Sequence, residues 1–460
     1  MGSDAVQPVI GNIPSHWRVA SFESLLDGGT RNGIYKPKEY HGRGVKIVNM
    51  GELFAHPRLR AVPMKRIDLS KAEQGRFDLR QGDLLFARRS LVVEGAGKCT
   101  IVMETDEPTT FESSIIRARP KASEADSLFL YYLFNSPLGT YLLGSILRHV
   151  AVAGITGSDL AKLTIPLPPI AEQQAFARIL GTFDDKIELN LRMNATLEGM
   201  ARALFKSWFV DFDPVRAKAE GRDPGLPKHI ADLFPNSVED SEFGEVPKGW
   251  RNHTLGELLI VDKGLSYKGK FLGTGVPLVN LGCFLGGGKF SDVAIKRYSG
   301  EFQPRHTVRA GALVIANTDI TQKREVLGSP ALVPPQADTD TIIFTHHVFA
   351  ARFHEGKENW RFFVYFLLLQ EGFRERAAGF ATGTTVLALP RDAVLNLQCP
   401  APPIELIAAF ERLATPLIER QWRNTEESQT LATLRDALLP KLVSGEIRLP
   451  NAERIVGGRV

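Results

Sequence analysis

The sequence predicts an α+β protein: two similar domains separated by two long antiparallel coiled-coil-like helices, repeating internally with pseudo-twofold symmetry. Three observations lead there. Five sequence blocks recur in the same order, short apolar runs open each repeat, and a heptad-spaced seam closes each.

The repeat comes first because it organises everything else. Ile13-Pro-Ser-His-Trp17-Arg18 returns as Val246-Pro-Lys-Gly-Trp250-Arg251, 233 residues later. Val45-Lys-Ile-Val-Asn49-Met-Gly51 returns as Val276-Pro-Leu-Val-Asn280-Leu-Gly282 at an offset of 231, and Leu79-Arg-Gln-Gly82 through Ala87 returns as Val308-Arg-Ala-Gly311 through Ala316 at 229. Tyr132-Leu-Phe matches Tyr365-Phe-Leu at 233, and Pro166-Leu-Pro-Pro-Ile170 matches Pro400-Ala-Pro-Pro-Ile404 at 234. Small drifts in offset mean one module used twice, with insertions in its loops.

Within each copy, Val45–Val48, Leu84–Ala87, Leu278–Asn280 and Leu313–Ala316 are short apolar runs between turn residues and read as strands. Leu128–Leu147 and Trp360–Ala377 read as helical. After each Pro-Pro-Ile, apolar residues alternate spacings of four and three. The first seam is Phe176, Leu180, Phe183, Ile187, Asn190, Asn194, Leu197, Ala201, Leu204 and Trp208; the second follows it at offset 234 through Phe410, Leu417, Asn424, Leu431 and Leu438. Asn190 and Asn424 fall at equivalent places, where a buried amide pair fixes register; a plain amphipathic helix on its own domain is the other reading. Gly181 and the Thr415-Pro416 step predict a kink or a short helix before a long one, leaving about 28 residues and roughly 40 Å of helix. The expected boundaries are 1–165 for the first domain, 166–210 for its helix, 211–245 for an acidic connector, 246–399 for the second domain, 400–447 for its helix and 448–460 for a tail.

Composition narrows the function. Net charge is +4, but Lys+Arg exceed Asp+Glu by 21 to 17 in residues 1–168 and by 18 to 13 in 246–403. Two modestly basic segments suit a polyanion touched at two places, or an ordinary solvated surface. Three cysteines without metal-ligand spacing argue against zinc and against a disulfide framework. No signal region opens the chain and no apolar run approaches about 20 residues, so no membrane role and a cytoplasmic location are expected.

Catalytic patterns are missing. Each Pro-Pro lacks the amide or carboxylate before it, and the aromatic after it, that a base methyltransferase requires. Gly264-Leu-Ser-Tyr-Lys-Gly269-Lys270 has phosphate-loop spacing, but Phe271 stands where a magnesium-binding hydroxyl belongs; near Lys98, Val92 replaces the first glycine. His346-His347 has no third ligand and reads as strand or core. What remains are polar loops after two equivalent strands. Arg88, Arg89, Ser90 and then Lys98 follow the first; Asn317, Thr318, Asp319 and then Gln322, Lys323 and Arg324 follow the second. Arg grips guanine, Asn and Gln grip adenine, and Lys and Arg hold phosphates, so these ten residues are the candidate DNA contacts, against a reading as bare surface loops.

Together these residues resemble the specificity (S) subunit of type I restriction-modification enzymes. The resemblance rests on Ile13-Pro-x-x-Trp17 and Val246-Pro-x-x-Trp250, on Ile165-Pro-Leu-Pro-Pro-Ile-Ala-Glu-Gln173, on Leu204-Phe-Lys-Ser-Trp-Phe-Val-Asp-Phe-Asp-Pro214 and on Leu438-Leu-Pro-Lys-Leu-Val-Ser-Gly-Glu-Ile447. The second junction, Cys399 to Leu406, lacks the Glu-Gln pair. The resemblance implies two target-recognition domains, each reading half of a split DNA site, with no catalysis in this chain. It implies double-stranded DNA, methyltransferase (M) subunits and motor-nuclease (R) subunits as partners. S-adenosylmethionine, ATP and magnesium would then sit on the partners only, and the chain itself would hold no cofactor. A recognition part of another modification or phage-defence assembly, and an interaction scaffold that binds no DNA, are the alternatives.

Overall fold

The computed structural model describes residues 14–90, 95–148, 153–242, 244–319, 325–383 and 386–447. The chain forms two compact units: Met1–Leu189 with Glu427–Val460, and Asn190–Glu426.

Both units are built from mixed strand and helix, and their strand pairing agrees in its central strands, the edge strands Arg58–Leu59 and Thr307–Val308 being particular to one unit each. In the first, one sheet runs in the order Leu26–Asn32, Ile115–Pro120, Leu84–Ala87, Cys99–Val102, Arg58–Leu59; in the second, the order is Leu259–Lys263, Val348–Phe353, Leu313–Ala316, Pro330–Leu332. A companion sheet pairs His41–Val48 in parallel with Thr109–Phe111, and Leu272–Val279 in parallel with Ile342–Phe344. The strand at each repeat's opening, Arg18–Ser21 or Arg251–Thr254, pairs antiparallel with Thr164–Leu167 or Gln398–Ala401, the strand ahead of the long helix. The duplication predicted from sequence is therefore a duplication of topology.

The central strands show why their sequences are unbroken apolar runs. All four residues of Leu84–Ala87 are buried. Leu84 and Phe86 face Phe22, Phe129 and Phe134, while Leu85 and Ala87 face Val48, Leu53 and Phe111. A strand with period two and a core on each side has no polar face. Leu313–Ala316 repeats this: Leu313 and Ile315 join one core, Val314 and Ala316 the other. Each expected single helix is two. Ser127–Phe134 and Pro137–Ser145 are parted at Ser136, which accepts from the Gly139 amide and is followed by a Pro at the first helical position. Arg361–Leu368 and Glu371–Gly379 form the second pair.

The long helices differ from expectation in continuity. Ile170–Phe209 and Ile404–Val443 run 40 residues each without interruption, about 60 Å at 1.5 Å per residue. Gly181 is where Leu128 packs closest, 3.3 Å from the position of a Cβ, so glycine serves a close approach there. Pro416 removes the donor to the Arg412 carbonyl, but both residues are exposed, so that carbonyl is not buried without a partner. Burial of Phe410, Ala414 and Ile418 on the opposite face holds the helix through the step. The acidic connector is also folded. It carries the helix Asp213–Ala219 and the paired strands Val238–Ser241 and Gly244–Pro247, and it buries Phe212, Val215, Ile230 and Phe234 beside Trp208 and Trp250.

One buried ion pair is private to the first unit. Asp83, fully buried, accepts from the Arg80 amide at 2.8 Å and from Arg119 Nε and Nη2 at 2.7 and 2.8 Å. Its counterpart in the second repeat is Ala312. Replacing Arg119 with Ala strands a buried carboxylate, and we expect about 3–5 kcal/mol of destabilisation, read as a lowered urea midpoint for the first unit.

Candidate nucleic-acid interface

The polar loops sit in a backbone frame that the two repeats share. As each central strand ends, the next amide turns to a tight turn between the two sheets: Arg88 N–H donates to Ser114 O at 2.8 Å, and Asn317 N–H to His347 O at 3.0 Å. These turns are Glu112-Ser113-Ser114 and Thr345-His346-His347. A glycine lies against each turn from the far side. Gly33 N–H donates to Ile115 O at 3.0 Å and Gly264 N–H to Val348 O at 3.3 Å. A Cβ on either glycine would fall 2.1 Å from a carbonyl oxygen, of Glu112 or of Phe344, so no other residue fits. The loops then pair again, Arg89–Ser90 with Ala153–Gly154 and Thr318–Asp319 with Leu387–Ala388. The glycine of the phosphate-loop-like segment is thus explained by this close approach, and Lys270 at its end lies 4.9 Å over the Phe271 ring.

In the first unit the frame presents arginine. Arg89 is exposed, and its guanidinium has no hydrogen-bond or ion-pair partner among the described residues. Arg88 is half-buried, its Nη1 reaching Ser113 O at 3.3 Å, and Ser90 is half-buried. Lys98 lies further back, its Nζ 5.3 Å over the Phe54 ring and 3.4 Å from Phe54 O. Three of the four candidates come together; Lys98 braces the 50–55 helix instead.

The second unit corrects the expectation more sharply. Asn317, Thr318 and Asp319 are buried, not displayed. Asn317 donates through Nδ2 to His346 O at 3.1 Å, and Asp319 Oδ2 accepts from the amides of Val326 and Leu327 at 2.8 and 3.2 Å. Short polar side chains next to a tight turn satisfy backbone groups first, so these residues shape the loop from inside. Gln322, Lys323 and Arg324 lie outside the described residues. What the frame does bring to the half-exposed surface is His346 and His347, which sequence reasoning assigned to strand or core. The signal was present: Glu112-Ser-Ser-Ile115 and Thr345-His-His-Val348 align at offset 233, with two unlike residues inside matched surroundings.

The helix seam is largely inward. Phe176, Leu180, Phe183, Leu431 and Leu438 are buried in the first unit, and Phe410 and Asn424 in the second with Asn190; Ile187, Leu197, Leu204 and Leu417 are half-buried. Ion pairs and amides fix the direction. Asp184 meets Arg435 while Lys186 meets Glu427, and Asn190 meets Asn424 while Asn194 meets Gln421, so the segments run antiparallel within each unit. The amide pairing is offset by one turn from the expected one: Asn424 Nδ2 donates to Asn194 Oδ1 at 2.8 Å, and Asn190 Nδ2 to the Asn424 backbone carbonyl at 3.3 Å. Asn424→Ala is expected to lower the second unit's stability by about 1–2 kcal/mol, seen in its thermal midpoint.

Other chemistry is thinly provided. Among the described residues no three His, Cys, Asp or Glu side chains gather as a metal site, and no helix is long and apolar enough to cross a membrane. All three cysteines are buried, which pushes the Cys283 and Cys399 thiols up to about 11 and about 12.

Comparison with known proteins agrees with this architecture. Residues 15–199 match the family model described as the type I restriction modification DNA specificity domain. The type I restriction enzyme MjaIX specificity subunit of Methanocaldococcus jannaschii is 26% identical over 451 residues, covering 96% of this chain and 95% of its own. The HindI specificity subunit of Haemophilus influenzae is 26% identical over 419 residues, covering 81% and 88%. In fold, the chain is similar to the crystal structure of a type I restriction-modification S subunit from M. genitalium, at a TM-score of 0.57 and 17% identity over 94% of this chain and 96% of that one. Over nearly its whole length the chain is therefore similar to the specificity subunits of type I restriction-modification systems.

Proposed function

We propose that this chain is the non-catalytic, sequence-reading part of a type I restriction-modification complex, each repeat reading one half of a split duplex target. Partner M subunits, carrying S-adenosylmethionine, would methylate adenine at the site, and R subunits, carrying ATP and magnesium, would translocate and cut. The observation that carries this reading is one backbone frame used twice with different side chains at its surface: Arg88, Arg89 and Ser113-Ser114 in one copy, His346-His347 over a buried Asn317 in the other. A shared scaffold with unlike tips is what two different half-sites demand, because phosphate contacts set register while base-edge contacts carry sequence. The long helices serve as spacer and as the docking surface for the M subunits. Readers approaching one side of the duplex expect half-sites about one turn apart, roughly 10 bp.

The test is to express the chain with its M subunits and map methylated adenines by long-read sequencing. A split motif that disappears when this gene is interrupted is expected. Methylation that does not depend on the chain, or follows a continuous motif, overturns the reading. Binding by the complex should also weaken linearly in log affinity against log salt, with sequence preference retained.

A further inference from the structure

Resting on that reading, we infer that the tight turn between the two sheets is a base-reading element, with His346 and His347 determining specificity in the second half-site and Ser113 and Ser114 holding the same post in the first.

The turn is fixed from both sides by backbone bonds common to the repeats. The polar loop holds it through the Asn317 amide, and the glycine arm holds it through Leu265 N–H to Phe344 O at 3.0 Å, as Ile34 N–H to Phe111 O holds the first copy at 3.0 Å. Neither set of bonds uses the turn's side chains, so those are free to differ. They do differ, as two serines against two histidines. The histidines are also organised. Their rings lie 3.9 Å apart between centroids at a 40° tilt, and both residues are half-buried. His347 Nδ1 lies 2.9 Å from Thr318 Oγ1, which is buried beneath it, so the ring is oriented and Nε2 is its remaining polar atom. Burial, His346 and the exposed Lys263 hold the His347 imidazole below its ordinary pKa. A neutral ring carries one donor and one acceptor, and the Thr318 hydroxyl accommodates either tautomer. An oriented neutral imidazole above a buried hydroxyl, beside a lysine, suits the hydrogen-bonding edge of a base flanked by a phosphate. A purely structural pair would leave the first copy's turn needing the same residues, and it has serines.

The experiment exchanges the turns in the full chain, within the complex carrying its M subunits. His346→Ser with His347→Ser is expected to relax or change the preferred base at one or two positions of the second half-site, by about five- to tenfold in discrimination, and to leave the first half intact. Ser113→His with Ser114→His is expected to alter the first half alone, and it keeps the inference testable if the first exchange impairs folding. Wild-type preferences at both halves in a folded variant, or an equal loss at both, overturns the inference while the split motif itself still supports the functional reading. A wild-type complex without a split motif removes both.

Discussion

Removing residues 427–460 is expected to unfold the first unit while leaving the second intact. Although this segment closes the chain, it belongs to the unit that opens it. Leu431, Leu438, Leu439 and Leu442 are buried there against Trp17, Phe176 and Phe183. Four buried leucines at about 1.5–3 kcal/mol each amount to about 6–12 kcal/mol, as large as the whole stability of an ordinary domain, about 5–15 kcal/mol. Electrostatics adds to this. Asp184, buried, accepts from Tyr132 at 2.6 Å and from Arg435 at 2.5 Å, and the truncation takes the arginine away. Limited proteolysis should degrade residues 14–189 and spare a fragment spanning roughly 190–426. Supplying 427–447 by fusion to 1–189 should restore protection. Resistance of 1–189 on its own would show that the helix packing contributes far less than its burial implies.

That dependence marks where sequence reading succeeded and where it stopped. The duplication was legible because each copy must solve the same packing problem: Leu84–Ala87 and Leu313–Ala316 bury both faces and keep an unbroken apolar run. The heptad seam was legible for the same reason. The division of each long helix between units was not, because a seam reports that a face is covered without saying by what. Gly181 and Pro416 misled because local propensity, about 1 and 3 kcal/mol, is overridden when the opposite face fills a core. The connector misled because its charge hides four large buried side chains at irregular spacing, Phe212, Val215, Ile230 and Phe234. In the interface, residue type was read as if every polar loop residue faced outward. Arg89 does; Asn317 and Asp319 satisfy backbone groups instead, since a turn closing two sheets leaves amides and carbonyls that only short polar side chains reach.

This distinction makes the second large effect a contrast between two alanine variants. Arg89→Ala removes an exposed guanidinium that has no ion-pair partner among the described residues, so the fold should keep its unfolding midpoint within about 0.5 kcal/mol. If Arg89 grips a base, discrimination at one position of the first half-site should fall by about 5- to 150-fold, the equivalent of about 1–3 kcal/mol, with the second half unaffected. If it grips only phosphate, affinity should drop evenly over all sequences and the salt slope should shrink by about one. Asn317→Ala should behave in the opposite manner. It leaves the His346 carbonyl without its donor and removes a side chain that is 2% exposed, so about 1–3 kcal/mol of stability in the second unit should go first. Loss of second-half recognition should follow from a loosened turn, at several positions at once. Reading both variants by thermal melt and by methylation mapping separates a residue that touches DNA from one that aims its neighbours. Equal behaviour of the two would mean that burial does not predict which loop residues read the target.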